Sequence, residues 1–86
     1  MADIVGQKLR KSAHNRQVLC ITHLPQVAAQ GHQHLRVNRI NADETEVEIQ
    51  SLGVDERSEE VARMLGGVEI TQTTRAHASE LLSRVQ

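Results

Sequence analysis

The chain reads as α/β, in the order helix, strand, short helix, β-hairpin and two helices, on three observations. First, an apolar run, Val18-Leu19-Cys20-Ile21, is followed by a polar pair, Thr22-His23, and then by Pro25. Four apolar residues, two of them β-branched, suit a short strand buried on both faces. Proline suits the first turn of a helix and misfits a continuing central strand. Second, Leu35 and Val37, then Val47 and Ile49, alternate with polar residues, the period of a hairpin. Third, apolar residues from Asp55 onward recur at helical spacing.

In chain order, residues 3–13 form a helix: Val5, Leu9 and Ala13 recur every four residues with Ile4 beside them, and Lys8, Arg10 and Lys11 fall on the outer side. His14-Asn15-Arg16 connects it to a strand at Gln17–Thr22. A helix entering a buried strand after so few residues is half of a βαβ unit without its first strand, so the chain is expected to begin in the middle of an α/β layer. Pro25–Gln30 makes a short helix closed by Gly31. The hairpin needs an odd number of loop residues to keep Leu35, Val37, Val47 and Ile49 on one face. A three-residue loop at 41–43 sets Val37 opposite Val47, Leu35 opposite Ile49 and Arg36 opposite Glu48. Next, Asp55 caps a helix with Val61, Met64 and Leu65 as its stripe, Glu59 four residues before Arg63, and Gly66-Gly67 as its end. Thr71 caps the last helix, which buries Ala78, Leu81, Leu82 and Val85 and sets Glu80 four residues before Arg84.

Eighty-six residues without Phe, Tyr or Trp allow one thinly packed domain at most. The net charge of −1 excludes strong attraction of the whole chain to polyanions, but the halves differ. Residues 1–40 carry six Lys/Arg and one acid; residues 41–86 carry four and ten. Lys8, Arg10, Lys11 and Arg16 are read as a solvated face, with phosphate contact as the alternative. The single cysteine, Cys20, is expected to be a buried, inert thiol in a reducing compartment. No run approaches membrane-spanning length and the start is too polar for a signal peptide, so a soluble cytoplasmic protein is expected.

The carboxyl edge of a strand in an open α/β sheet is where ligands bind, and a helix starting there favours anions. His23 is therefore the candidate site residue, able to donate a hydrogen bond to a phosphate oxygen or to hold a water beside it. The rival reading makes it structural. His32 and His34 are two apart, a spacing a metal can bridge. Without a cysteine, an HExxH or an acid between residues 24 and 42, they read as exposed polar strand residues. His77 reads as a boundary residue on the last helix. No GxGxxG or GxxxxGK[ST] is present, so the chain alone has no phosphate cradle and no equipment for nucleotide hydrolysis.

Three segments taken together carry a resemblance: Val18 through His23-Leu24-Pro25-Gln26-Val27 to Gly31, Glu59 through Ala62-Arg63-Met64-Leu65 to Gly67, and Ile70-Thr71 through His77-Ala78 to Leu82. In this order they resemble the C-terminal part of the RecN family of bacterial DNA-repair ATPases, related to the SMC and ABC-type ATPases. The resemblance implies that residues 1–86 are a C-terminal lobe fragment of a P-loop ATPase head, without Walker A, signature or Walker B. It makes His23 the switch histidine, catalytic and ATP-binding through the γ-phosphate, with ATP and Mg bound only by the complete head. It further implies the rest of that head, a head-to-head homodimer and DNA as partners, no membrane, and a nucleoid-associated role in double-strand-break repair by recombination. A non-catalytic interaction module with a structural His23 is the alternative.

Overall fold

The computed structural model describes residues 2–40 and 46–85. Helix α1 spans Ala2–Ser12 and runs on into a 3-10 turn, Ala13–Asn15. Its packed face differs from the expected stripe: Gly6 is buried and Ala2, Leu9 and Ala13 are half-buried, while Ile4 and Val5 are exposed. The cause is the closeness of helix α2 (Pro25–Ala28). A Cβ on Gly6 would sit 2.8 Å from Gln30 Cγ and 3.2 Å from the Gln26 carbonyl oxygen, so only glycine admits this approach.

The strand expected at Gln17–Thr22 does not form. The segment has no regular secondary structure, with Leu19 83% and Ile21 96% exposed. Cys20 is also exposed, which corrects the buried-thiol reading. A strand exists through its neighbours' hydrogen bonds, and among the described residues none lies beside this one. Helix α2 is one turn, shorter than Pro25–Gln30. Its C-cap is Ala29 in ordinary helical geometry, and Gly67 is the positive-φ glycine among the described residues, so Gly31 is not a left-handed cap.

Strands β1 (Leu35–Arg39) and β2 (Val47–Ser51) form the antiparallel hairpin. Val37 pairs with Ile49, Leu35 with Ser51 and Arg36 with Gln50, a register two residues from the expected one. The loop expected at 41–43 lies outside the described residues. A slip of two preserves the face, so Leu35, Val37, Val47 and Ile49 do share one side. That side is the exposed one. The other side carries Arg36, which donates to Gln50 Oε1 at 2.7 Å and lies 3.7 Å from Glu60 Oε2 on helix α3. His32 and His34 precede β1 and are not strand residues.

Helix α3 spans Val54–Gly66 and α4 spans Gln72–Ser83. The N-cap of α3 is Gly53, whose N–H donates to Glu56 Oε1 at 3.1 Å; Asp55, expected there, falls within the first turn. Gly67, at φ 70°, takes the C-cap as the Gly66-Gly67 pair implies. Thr71 caps α4 as expected, its Oγ1 accepting from the Thr74 N–H at 3.1 Å. Arg84 meets Glu80 at 2.6 Å. The expected Glu59–Arg63 pair is replaced by two others: Arg63 pairs with the buried Glu60, and Glu59 reaches across to Arg75 on α4 at 3.1 Å. The core lies where α3 and α4 meet the end of α2, with Ala29, Val61, Ala62, Ala78 and Leu81 buried and Leu65, Ile70 and Leu82 against them. Three alanines among five residues let the helices approach closely but bury little area per residue. No described helix is long and apolar enough to cross a membrane.

Candidate functional site

His23 sits at the tip of the unpaired segment, just before α2. Thr22 Oγ1 accepts the Leu24 N–H at 3.0 Å, a local side-chain turn. Leu24 is extended (φ −97°, ψ 119°), as a residue before proline must be. Its carbonyl accepts from the Val27 and Ala28 N–H groups at 3.1 and 3.0 Å. Pro25 and Val27 are buried while His23 is exposed, so the helix is anchored and the imidazole stands outward. It makes no hydrogen bond among the described residues. The anion-favouring helix end expected beside it is weak, because a single turn aligns few peptide dipoles.

The far end of α2 is fastened from two sides. Arg57 Nη2, from the first turn of α3, donates to the carbonyls of Ala28, Ala29 and Gly31 at 3.1, 3.2 and 2.6 Å. Arg10 Nη1, from α1, donates to the Gln30 carbonyl at 2.7 Å. A helix leaves its last carbonyls without intrahelical partners; here the Ala28 carbonyl also accepts the Gly31 N–H at 3.2 Å, and two guanidinium groups supply donors at and just beyond the end of α2. Burial and the neighbouring Arg10 lower the Arg57 pKa from its ordinary value. Sequence reasoning missed this clamp. Arg57 follows Asp55-Glu56 and reads there as one more surface charge; nothing in its spacing points back to residues 28–31.

Beside the clamp lies a charged cluster between the hairpin and α3. Glu60 is 3% exposed, and its Oε2, Arg36 Nε, Arg57 Nε and His34 Nδ1 are buried without hydrogen-bond partners. His34 titrates below its ordinary value: burial is the main cause, Arg57 and Arg36 add to it, and Glu60 opposes it. This histidine is structural polar packing, with His32 exposed on the adjacent turn. Among the described residues no group of three or more His, Cys, Asp and Glu is placed to hold a metal. His77 is exposed on α4 and not at a boundary.

A small mixed helix–strand unit with an exposed histidine just before a one-turn helix that is fastened at its far end is the class of molecule that fold and site define. No protein-family model matches the chain. Its sequence is 55% identical over 87 residues to DNA repair protein RecN of Xylella fastidiosa, covering all of this chain and 16% of that protein. The RecN of Vibrio cholerae is 49% identical over 82 residues, covering 94% and 15%, and that of Bacillus subtilis 41% over 85 residues, covering 98% and 15%. The chain therefore belongs to the RecN family and corresponds to its C-terminal segment. It spans about one sixth of the length of the curated relatives it matches.

Proposed function

We propose that this chain is the C-terminal part of an ATP-binding repair protein of the RecN type, acting in recombinational repair of DNA double-strand breaks, and that His23 is its switch histidine. In this reading the fold is a piece of an ABC/SMC-type ATPase head, and ATP hydrolysis belongs to the complete head and not to these residues alone. The supporting observation is the outward His23, without a hydrogen bond among the described residues, just before a one-turn helix whose far end is fastened by Arg57 and Arg10, within a chain that matches RecN over its whole length. The imidazole fits a terminal phosphate oxygen: it is accessible and its ring nitrogens are free to donate or accept.

Phosphoryl transfer relies on positioning and charge stabilisation more than on covalent help. His23 would donate to a γ-phosphate oxygen and hold the attacking water in line. Arg57 and Arg10 would fix the far end of the helix that follows it. A magnesium ion accompanying ATP would take its protein ligands from outside the described residues, and closure by a second head would complete the site. The alternative, an interaction module, draws support from the exposed Leu19 and Ile21; a structural role for His23 does not, since the side chain is exposed.

The test is ATP turnover by the intact protein with His23→Ala, compared with wild type at matched nucleotide occupancy. The expected result is a loss of about a hundredfold or more in turnover with ATP still bound. Unchanged turnover would return His23 to a structural role and favour the interaction module.

A further inference from the structure

We propose that the hollow where α1, α3 and the turn after α2 meet is a binding site for one phosphate-sized oxyanion, separate from the nucleotide contact assigned to His23 above. The hollow encloses about 130 Å³. Arg10, His32 and Arg57 supply its polar lining and Ala29, Leu82 and Val85 its apolar lining, with no carboxylate among them.

Two guanidinium charges share this hollow without a countercharge. Arg36, Arg63, Arg75 and Arg84 each meet a glutamate. Among the described residues Arg10 and Arg57 meet only backbone carbonyls, that of Gln30 for the first and those of Ala28, Ala29 and Gly31 for the second. A carbonyl takes a hydrogen bond and leaves the charge in place. The mutual effect shows in Arg57, whose pKa is lowered by burial and then by Arg10, with no acid opposing them. Part-buried like charges are unfavourable neighbours, and an anion between them relieves both.

The donors left over suit a single anion. Arg57 Nε is buried without a hydrogen-bond partner, a state that costs free energy until it meets an acceptor. Arg10 uses Nη1 and keeps its remaining N–H donors. His32 is exposed and makes no hydrogen bond among the described residues. Arginine forks match phosphate oxygens. Donors arriving from α1, α3 and the turn between them suit a tetrahedral group, whereas one fork already satisfies a planar carboxylate. The volume equals that of about four water molecules at ~30 Å³ each, enough for one such group. Bound there, the anion ties α1 to α3 across the far end of α2.

The experiment is isothermal titration calorimetry of the intact protein with inorganic phosphate. Ionic strength is held constant with chloride, and a non-hydrolysable ATP analogue is kept saturating so that phosphate has no access to a nucleotide site. Wild type should bind one phosphate per chain. Arg10→Gln should weaken binding about tenfold or more, the effect of losing one charge-assisted bond. His32→Ala removes an exposed side chain, leaves the fold intact, and should weaken binding about threefold. Arg10→Lys keeps the charge but not the fork and should fall between wild type and Arg10→Gln. Three outcomes overturn the proposal: no saturable phosphate binding by wild type, unchanged affinity in both Arg10→Gln and His32→Ala, or a loss in Arg10→Gln that comes with a lower melting midpoint while His32→Ala binds as wild type does. Acetate that displaces phosphate at equal concentration would overturn the choice of a tetrahedral anion. His23→Ala should bind phosphate as wild type does, so this site and the nucleotide reading can fail separately.

Discussion

Replacing Arg57 with alanine should loosen α2 and the turn that bears His23 from the helix pair. One nitrogen, Nη2, meets three carbonyls at 2.6, 3.1 and 3.2 Å. A hydrogen bond to a charged donor contributes about 1.5–3 kcal/mol. Three acceptors share one NH₂ group, and the site is only partly buried, so the contributions do not add as three. The short bond to Gly31 with the side chain's packing gives about 2–3 kcal/mol in total. Chains of this size hold roughly 4–13 kcal/mol of stability, so the loss is a large fraction. It corresponds to a fall of about 10–20 °C in the thermal midpoint. Circular dichroism melts and urea titrations of the chain would measure it. Arg75→Ala is the matched control, since it removes an arginine with a two-point contact to Glu59 in full solvent. Surface pairs of that kind contribute little. Equal midpoints for the two variants, or an Arg57→Ala shift under about 2 °C, would refute the view that the clamp holds α2.

Gly6→Ala should be destabilising by about 1–2 kcal/mol in a urea titration, because overpacking against the α2 backbone outweighs the better helix propensity of alanine. The His34 pKa is lowered in the fold, so the unfolded chain binds more protons than the native one just below the ordinary histidine value. Stability should then fall as pH drops through about 6.5 and level off below the folded pKa. His34→Asn should flatten that dependence, and equal pH slopes for the two would count against the cluster. Leu19 and Ile21 stand in water on a segment without regular structure, an exposed apolar stretch open to association. Sedimentation velocity should show self-association of the chain that Leu19→Lys/Ile21→Lys reduces; a monodisperse wild type at high concentration would sink that expectation.

Much of the local structure was legible in the amino acids. Thr71 before α4, Gly67 after α3, Pro25 opening α2 and the Glu80–Arg84 pair all follow from chemistry within a few residues of the chain. So does the rule that Leu35, Val37, Val47 and Ile49 share a face, because side chains alternate with period two whatever the loop. His23 was singled out as lying at the carboxyl edge of a buried strand; that strand does not form, and His23 is exposed just before the one-turn helix that Pro25 opens.

What the sequence by itself determined, then, is where α3 ends, where α4 begins and which hairpin residues share a side. Which side is buried, and against what, was decided by tertiary structure. The apolar run at residues 18–21 has strand chemistry, yet a strand is a relation between two segments, and here no described neighbour supplies the hydrogen bonds. The α1 face turned on Gly6 because the approach of α2 rewards the smallest residue, which a hydrophobic pattern cannot show. The hairpin slipped by two residues with no change of face, a choice alternation cannot make. Arg57 reached carbonyls more than twenty-five residues away in sequence, and such long-range partners exist only once the chain has folded.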